Sequence, residues 1–351
     1  MPFSLVDASA PAAQVTAARK PRLRAVLWAV GAAGLIAAIT LVVRSGLSDI
    51  VKLLDIAGWG LLWLVPLHLV SLACFAVAWQ CLLTRSERPS LLYLIWGAIV
   101  RESVSGLLPV ARVGGEVAGV RLLVRRSVST ATAAASVAVE LTLTMTAQVM
   151  FAATALALLA TYSSVGPTVR IVAVALLISV VVIGAFVATL RRWGRVAFAA
   201  AQRVINALVG SDSKDSKDSV ESANFHTALH RMYGDPRALA GCAAWQLMGL
   251  LAGAPEMWVT LRLLGQPASV RGAIILEGLA TAVQSAMFIV PDGLGTQEGA
   301  FVIFGALVGL SPQAALALSL ARRSRQLLLG VPALCSWYWA EWRTNRAPAA
   351  A

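Results

Sequence analysis

Long uncharged runs dominate the chain. Residues 25–43 hold no Asp, Glu, Lys or Arg over nineteen positions, and residues 58–84 hold none over twenty-seven. A bilayer core is about 30 Å thick and takes about 20 apolar residues to cross as a helix. Both runs therefore predict membrane spans, and further apolar stretches at 131–160, 171–190, 238–261 and 313–340 bring the predicted number to six. Membrane β-barrels are excluded, because their strands alternate apolar and polar positions over about 10 residues. The fold class is an all-α polytopic integral membrane protein.

Two segments break the pattern. Residues 91–108 are mostly apolar but contain Arg101 and Glu102, and they run into Leu108-Pro109-Val110-Ala111-Arg112-Val113-Gly114-Gly115-Glu116. A complete crossing there would put Arg121, Arg125 and Arg126 outside. The positive-inside rule puts them in the cytoplasm, beside Arg85 and Arg88. The pattern thus predicts a re-entrant hairpin over 91–124. A second, over 273–310, breaks at Pro291-Asp292-Gly293-Leu294-Gly295 before Glu298. Irregular backbone at membrane depth is tolerated where it is buried in protein or lines a cavity. The first hairpin opens from the cytoplasm and the second from outside.

The organisation that follows is a cytoplasmic tail (1–24), a first membrane half (25–190), a cytoplasmic polar loop (191–237), a second membrane half (238–340) and a cytoplasmic tail (341–351). The first apolar run begins only after twenty-four residues, so it reads as a retained span and not a cleaved signal peptide. Within the polar loop, Ser211–Ser219 is low-complexity and predicts disorder. His226 and His230, at i and i+4, have no third metal ligand in view and read as a solvated helix face.

The hairpins share spacings. Pro109 to Glu116 is seven positions, as is Pro291 to Glu298; Glu116 to Glu140 is twenty-four, as is Glu298 to Arg322. Each hairpin also has a small-residue pair that would allow close helix approach, Gly115 with Gly119 and Gly295 with Gly299. The spacings either arise by chance or mark inverted repeats, which place substrate near the midplane at broken helices.

Composition sharpens this picture. Hydrophobic residues make up 58% of the chain and charged ones 13%, against about 25% charged in soluble domains. Net charge is +12, from 25 Arg and 4 Lys against 17 acids. In a membrane protein this reads as basic cytoplasmic loops, not as nucleic-acid binding. The arginine excess is compositional bias or a means of holding lipid phosphate. Four cysteines without a CxxC pair give neither a metal site nor a disulfide framework. No Gly-Lys dipeptide, HExxH, GxSxG or GxGxxG occurs, so no ATPase, hydrolase or dinucleotide cofactor is expected.

Six of the nine glutamates, Glu102, Glu116, Glu140, Glu256, Glu277 and Glu298, fall in apolar or hairpin segments. A charge at the bilayer centre costs about 2.5–3.5 kcal/mol on insertion scales, so the group needs partners or a polar cavity. Residues three apart on a helix are neighbours. Arg322 and Arg325 should therefore face the interior, with Arg323 elsewhere. Glu116 and Glu298 should face one central cavity, with Arg112 or Arg322 in reach.

Arg101-Glu102, Leu108-Pro109 and Gly114-Gly115-Glu116, with Pro291-x-Gly293-x-Gly295-x-x-Glu298 later, resemble the flippase-like family. That family comprises the membrane part of lysylphosphatidylglycerol synthases and its stand-alone relatives. The wording of residues 101–123 is most similar to the branch associated with hopanoid biosynthesis. The resemblance implies an inner-membrane protein that moves or binds lipid. The synthases' soluble transferase domain has no counterpart before Ala351, so no enzymatic activity is expected. Many relatives carry an acid-arginine pair in the span after the first hairpin, whereas here Leu141 follows Glu140. The substrate-binding candidates are Arg101, Glu102, Pro109, Arg112, Gly114, Gly115, Glu116, Glu140, Pro291, Gly293, Gly295, Glu298, Arg322 and Arg325. The expected partner is a membrane lipid, phospholipid or hopanoid, and lipid-biosynthesis enzymes are further candidates. An ion-coupled transporter of a small anionic solute and a non-transporting scaffold for lipid-synthesis enzymes are the alternatives.

Overall fold

The computed structural model describes residues 54–107, 113–160, 215–267, 269–286 and 296–346, together with Lys52, Val174 and Leu177. A helical run from Leu54 to Cys81 opens the described chain. It contains a 3-10 turn at Gly58–Trp63 and continues as α1, Leu64–Cys81. Then come α2 (Leu91–Leu107), α3 (Val113–Val124) and α4 (Thr130–Ala160). After the polar stretch follow α5 (Asp215–Tyr233), α6 (Pro236–Leu263), α7 (Val270–Ala286), α8 (Thr296–Leu307) and α9 (Pro312–Arg346). No strand occurs among the described residues.

Three described helices are long and apolar enough to cross a membrane: Leu54–Cys81, α4 and α6. Helix α9 has 35 residues, about 52 Å at 1.5 Å per residue, yet it is not among them. Arg322, Arg323 and Arg325 interrupt its apolar character. The expected spans 25–43 and 171–190 lie outside the described residues, apart from helical Val174 and Leu177. Apolar side chains turn outward on several helices: Leu92 is 80% exposed and Trp59 87%. Exposed apolar surface on this scale marks contact with lipid or protein.

The tract read as disordered is corrected in part, because α5 begins at Asp215. Phe225, Ala228, Leu229 and Met232 recur on one face and are buried in a cluster with α4 residues Ala131, Ala135 and Val139. That apolar stripe supplies the packing that the Ser/Asp/Lys tract lacks, and the helix extends upstream from it. The His226 and His230 rings lie side by side, tilted by 58° with centroids 4.4 Å apart. No group of potential metal ligands forms among the described residues.

The second half repeats the first. Helices α2 and α7 have 17 residues each, α3 and α8 have 12 each, and a long helix follows in both cases. Adding 182 to a residue number carries the details across. Ser127 and Gly309 have left-handed φ angles of 63° and 85°. Val128 N–H donates to the Leu123 carbonyl, and Leu310 N–H to that of Gly305. Ser129 Oγ accepts from Thr132 N–H, and Ser311 Oγ from Ala314 N–H. A helix C-terminus, a left-handed residue and a serine N-cap thus occur twice in the same order.

The halves face each other head to tail. A Cβ on Gly60 would meet Leu263, one on Gly249 would meet Phe75, and one on Gly241 would meet Cys81. These pairs fix α1 and α6 as antiparallel neighbours. The long helices cross over: α9 packs on α2, and α4 on α7. A Cβ on Gly330 would lie 3.1 Å from Ser103 Oγ, while Ser285 Oγ donates to Gln148 at 2.6 Å. The offset of 182 again relates Ser103 to Ser285 and Gln148 to Gly330.

Helices α2 and α3 form a tight antiparallel pair. A Cβ on Gly115 would overlap Ser105 Oγ and lie 2.5 Å from the Arg101 carbonyl oxygen, and one on Gly119 would lie 2.9 Å from Arg101 Cδ. Small residues let these backbones touch. Gly299 departs from the expected parallel, since a Cβ there would meet nothing within 4 Å. Its partner Gly295 lies outside the described residues.

Candidate functional site

A cavity of about 340 Å³ lies between the halves, lined by residues of α1–α4 and α6–α9. Five carboxylates line it, those of Glu102, Glu116, Glu140, Glu256 and Glu277. Three guanidinium groups face them, Arg101, Arg322 and Arg325, together with His68.

Arg101, on α2, is the centre of the first cluster. Its Nη1 donates to Glu140 on α4 at 2.7 Å and its Nη2 to Glu116 on α3 at 2.6 Å. Its guanidinium lies 4.5 Å from the centre of the Trp79 ring, within cation–π range. Gly115 and Gly119 bring α3 close enough for Glu116 to reach this group.

The second half reverses the signs. Arg322, at the position equivalent to Glu140, donates from Nη1 and Nη2 to the two oxygens of Glu277 at 2.6 and 3.1 Å. Such a bidentate pair is among the stronger charge-assisted arrangements. Each half thereby ties its long helix to the first helix of its own hairpin, with acid and base exchanged.

A third cluster joins the halves. His68, on α1, places Nδ1 3.0 Å from Glu256 on α6 and Nε2 2.9 Å from Glu102 on α2. Arg325, on α9, donates from Nη1 to the other oxygen of Glu256, and its Nη2 lies 3.7 Å from Glu102. Glu256 and Arg325 are almost fully buried, whereas the Glu102 side chain is 36% exposed and opens toward the cavity.

Several expectations change. Arg323 does not lie apart from the acids, because its Nε donates to Glu298 at 2.8 Å. Arg322, Arg323 and Arg325 point in different directions from α9 and are met by carboxylates from different helices: Glu277 on α7, Glu298 on α8 and Glu256 on α6. Glu298 is engaged by Arg323 and approached by Ser319 Oγ at 3.5 Å. Beside it, Gln297 lines the cavity in its place. Glu116 and Glu298 are therefore equivalent in the repeat without sharing the cavity. Among the described residues Glu116 pairs with Arg101 and Glu298 with Arg323. Arg101, Glu102, Glu116, Glu140, Arg322 and Arg325 do come together around one space. Gly115 sits in the contact between α2 and α3, and Gly114 in the first turn of α3. Pro109, Arg112, Pro291, Gly293 and Gly295 lie outside the described residues.

His68 was missing from the sequence-derived set, as were Glu256, Glu277 and Arg323. A usable signal existed for the first. His68 is the one ionisable side chain besides two cysteines in the uncharged run 58–84, and an ionisable residue in a span is a candidate by default. Polar atoms at the cavity remain without partners: Ser71 Oγ, Gln246 Oε1 and Arg325 Nε are buried and make no hydrogen bond. Ser71 and Gln246 are only 3% and 1% exposed.

Membrane-length helices, glycine-packed helix pairs and a charged interior cavity define a polytopic membrane protein built around a polar space. The chain matches the lysylphosphatidylglycerol synthase TM region over residues 26–333 and belongs to that family. No curated protein and no solved structure matches it. The family makes it a lipid-related membrane protein.

Proposed function

We propose that the cavity carries the polar head of a membrane lipid between leaflets while the acyl or polycyclic part stays in the bilayer. The carrying observation is the excess of acid, five carboxylates against three guanidinium groups around about 340 Å³. All three arginines are already engaged by carboxylates. Ser71 Oγ and Gln246 Oε1 offer acceptors, and Arg325 Nε one donor. Buried polar groups left unpaired are costly, so this lining favours a head bearing an ammonium group or several donors over a bare phosphate.

The same charge balance disfavours a small anionic solute. Head-to-tail halves with broken hairpins suit alternating access around a fixed site. The finer reading is an inner-membrane transporter with cytoplasmic termini. The likeness of residues 101–123 to the hopanoid-associated branch supports a hopanoid with an amine or polyol head as one cargo. No enzymatic activity belongs to this reading.

The test is leaflet-resolved lipid analysis in cells lacking the protein. Wild type should restore the distribution of an amine-headed lipid, and Leu141→Trp, which places a bulky ring on the cavity wall, should not. Equal restoration by both would remove the cavity from the path. A scaffold role would instead survive Leu141→Trp.

A further inference from the structure

Both ring nitrogens of His68 face carboxylates, Nδ1 toward Glu256 at 3.0 Å and Nε2 toward Glu102 at 2.9 Å. A neutral imidazole has one N–H and one bare lone pair. Between two ionised carboxylates that lone pair would face oxygen lone pairs. The geometry is satisfied when the cluster holds a further proton, either on the ring, with both nitrogens donating, or on Glu102, donating to Nε2. Charge leads to the same count. Glu102 and Glu256 with Arg325 sum to −1, and an imidazolium makes the cluster neutral.

The surrounding charges leave this count intact. Glu140 on α4 and Glu116 on α3 share Arg101, which leaves one negative charge in that separate cluster, and on α7 Glu277 is paired with Arg322. Arg322 and Arg325 face the cluster from α9. A route for the proton also exists. All four groups line the cavity, but Glu102 is the most exposed of them, at 36% against 2% for Glu256 and 6% for Arg325. A proton from cavity water can bind the Glu102 carboxylate and pass to Nε2, while the Nδ1 proton stays on its bond to Glu256. Release reverses these steps and leaves net negative charge beside the cavity.

We propose that His68 is an exchangeable proton site of this cavity, loaded through Glu102, and that its loading and release drive movement of the lipid head. The driving role rests on the transport reading above, whereas the proton site does not. The four helices that carry the cluster come from both halves, α1 and α2 from the first and α6 and α9 from the second. A change in its charge therefore acts on the contact between the halves.

The test has two arms. The chain has three histidines, so His226→Asn with His230→Asn leaves His68 as the only one. That variant, labelled with 15N-histidine and held in lipid nanodiscs, reports the ring directly. Both nitrogens should be protonated at about pH 7, and adding Glu102→Gln should leave one of them bare. A bare nitrogen without that change overturns the proton site. The second arm uses vesicles containing acyl-labelled phosphatidylethanolamine. A gradient of about one pH unit should change the wild-type flip rate several-fold and leave His68→Gln unaffected. Flipping that ignores the gradient in wild type overturns the driving role while transport stands. If no lipid moves, transport and the driving role fall together, and the nitrogen spectrum alone decides the proton site.

Discussion

His68 Nδ1 lies 3.0 Å from Glu256 Oε2, although 188 residues separate the two in sequence. The contact spans α1 and α6, the antiparallel pair along which the two halves meet. Glu256 also receives Arg325 on its other oxygen, so one carboxylate holds a histidine and an arginine from opposite halves.

Removing that carboxylate strands both partners. Glu256→Leu should destabilise the protein by about 3–5 kcal/mol, the usual cost of leaving a buried charge unpaired. The double change Glu256→Leu with Arg325→Leu should cost less than Glu256→Leu alone. Unfolding of the purified protein in detergent, followed by denaturant or heat, measures both. A double variant as unstable as the sum of the singles would show that the pair is not coupled.

The adjacent arginines separate stability from transport. Arg322→Ala and Arg323→Ala should each cost about 3–5 kcal/mol, because each strands a buried glutamate. Charge-neutral replacement of a buried pair is often tolerated, so the paired variants fold. Arg322→Leu with Glu277→Leu removes a cavity wall and should abolish lipid movement. Arg323→Leu with Glu298→Leu lies beside the cavity and should leave movement within about twofold of wild type. The reverse ranking would move the site to the second hairpin.

Much of the fold was legible in the residues, and the reasons are specific. Apolar runs gave α1, α4 and α6 because length and lack of charge suffice to define a span. The spacings Pro109–Glu116 and Glu116–Glu140 gave the repeat, because the offset of 182 also carries Ser127 to Gly309 and Ser129 to Ser311. Partner choice was not legible. Glu298 and Arg323 meet because α8 packs on α9 with that register, and no spacing within α9 reveals it. Counting helix faces led to the wrong place for Arg323, since a helix surrounded by other helices can have partners on several sides. His68 escaped notice because a run without formal charge looks like plain lipid-facing span. The helix around His226 and His230 was legible, but the start of α5 at Asp215 and its buried Phe225–Met232 stripe were not, because the serine and aspartate tract conceals them.

The two hairpins should respond differently to the same small change. Gly115→Ala forces a methyl group into Ser105 Oγ and the Arg101 backbone, so it should destabilise by about 1–3 kcal/mol, as overpacking does. Gly299→Ala meets nothing within 4 Å and should be neutral or stabilising by about 0.5–1 kcal/mol through helix propensity. Unfolding midpoints of the two variants check this. Equal loss at both positions would contradict the asymmetric packing.

One ion-pair group lies beyond the predicted spans and gives a pH dependence. Glu341 accepts from Arg121 at 2.7 and 3.0 Å and lies 3.1 Å from Arg125. Partial burial pushes its carboxyl up, but the Arg121 hydrogen bond and the charges of Arg121 and Arg125 outweigh this and hold it below the ordinary value of 4.5. A depressed folded value stabilises above 4.5, and the contribution is lost as pH falls through the lowered value. Glu341→Gln should cost about 0.5–1 kcal/mol at neutral pH, as partly exposed pairs do. The difference from wild type should shrink as the pH drops below 4.5. A gap that stays constant into strong acid would assign the effect to packing.

On the proposed transport function, the cavity between the halves passes a lipid head. The direct measurement uses vesicles containing phosphatidylethanolamine labelled on its acyl chain, with a membrane-impermeant quencher to score the outer leaflet. Wild-type protein should speed the exchange of inner-leaflet probe well beyond protein-free vesicles, and Leu141→Trp should return the rate to the protein-free level. No acceleration by wild type, or the same acceleration with Leu141→Trp in the cavity wall, would contradict that function.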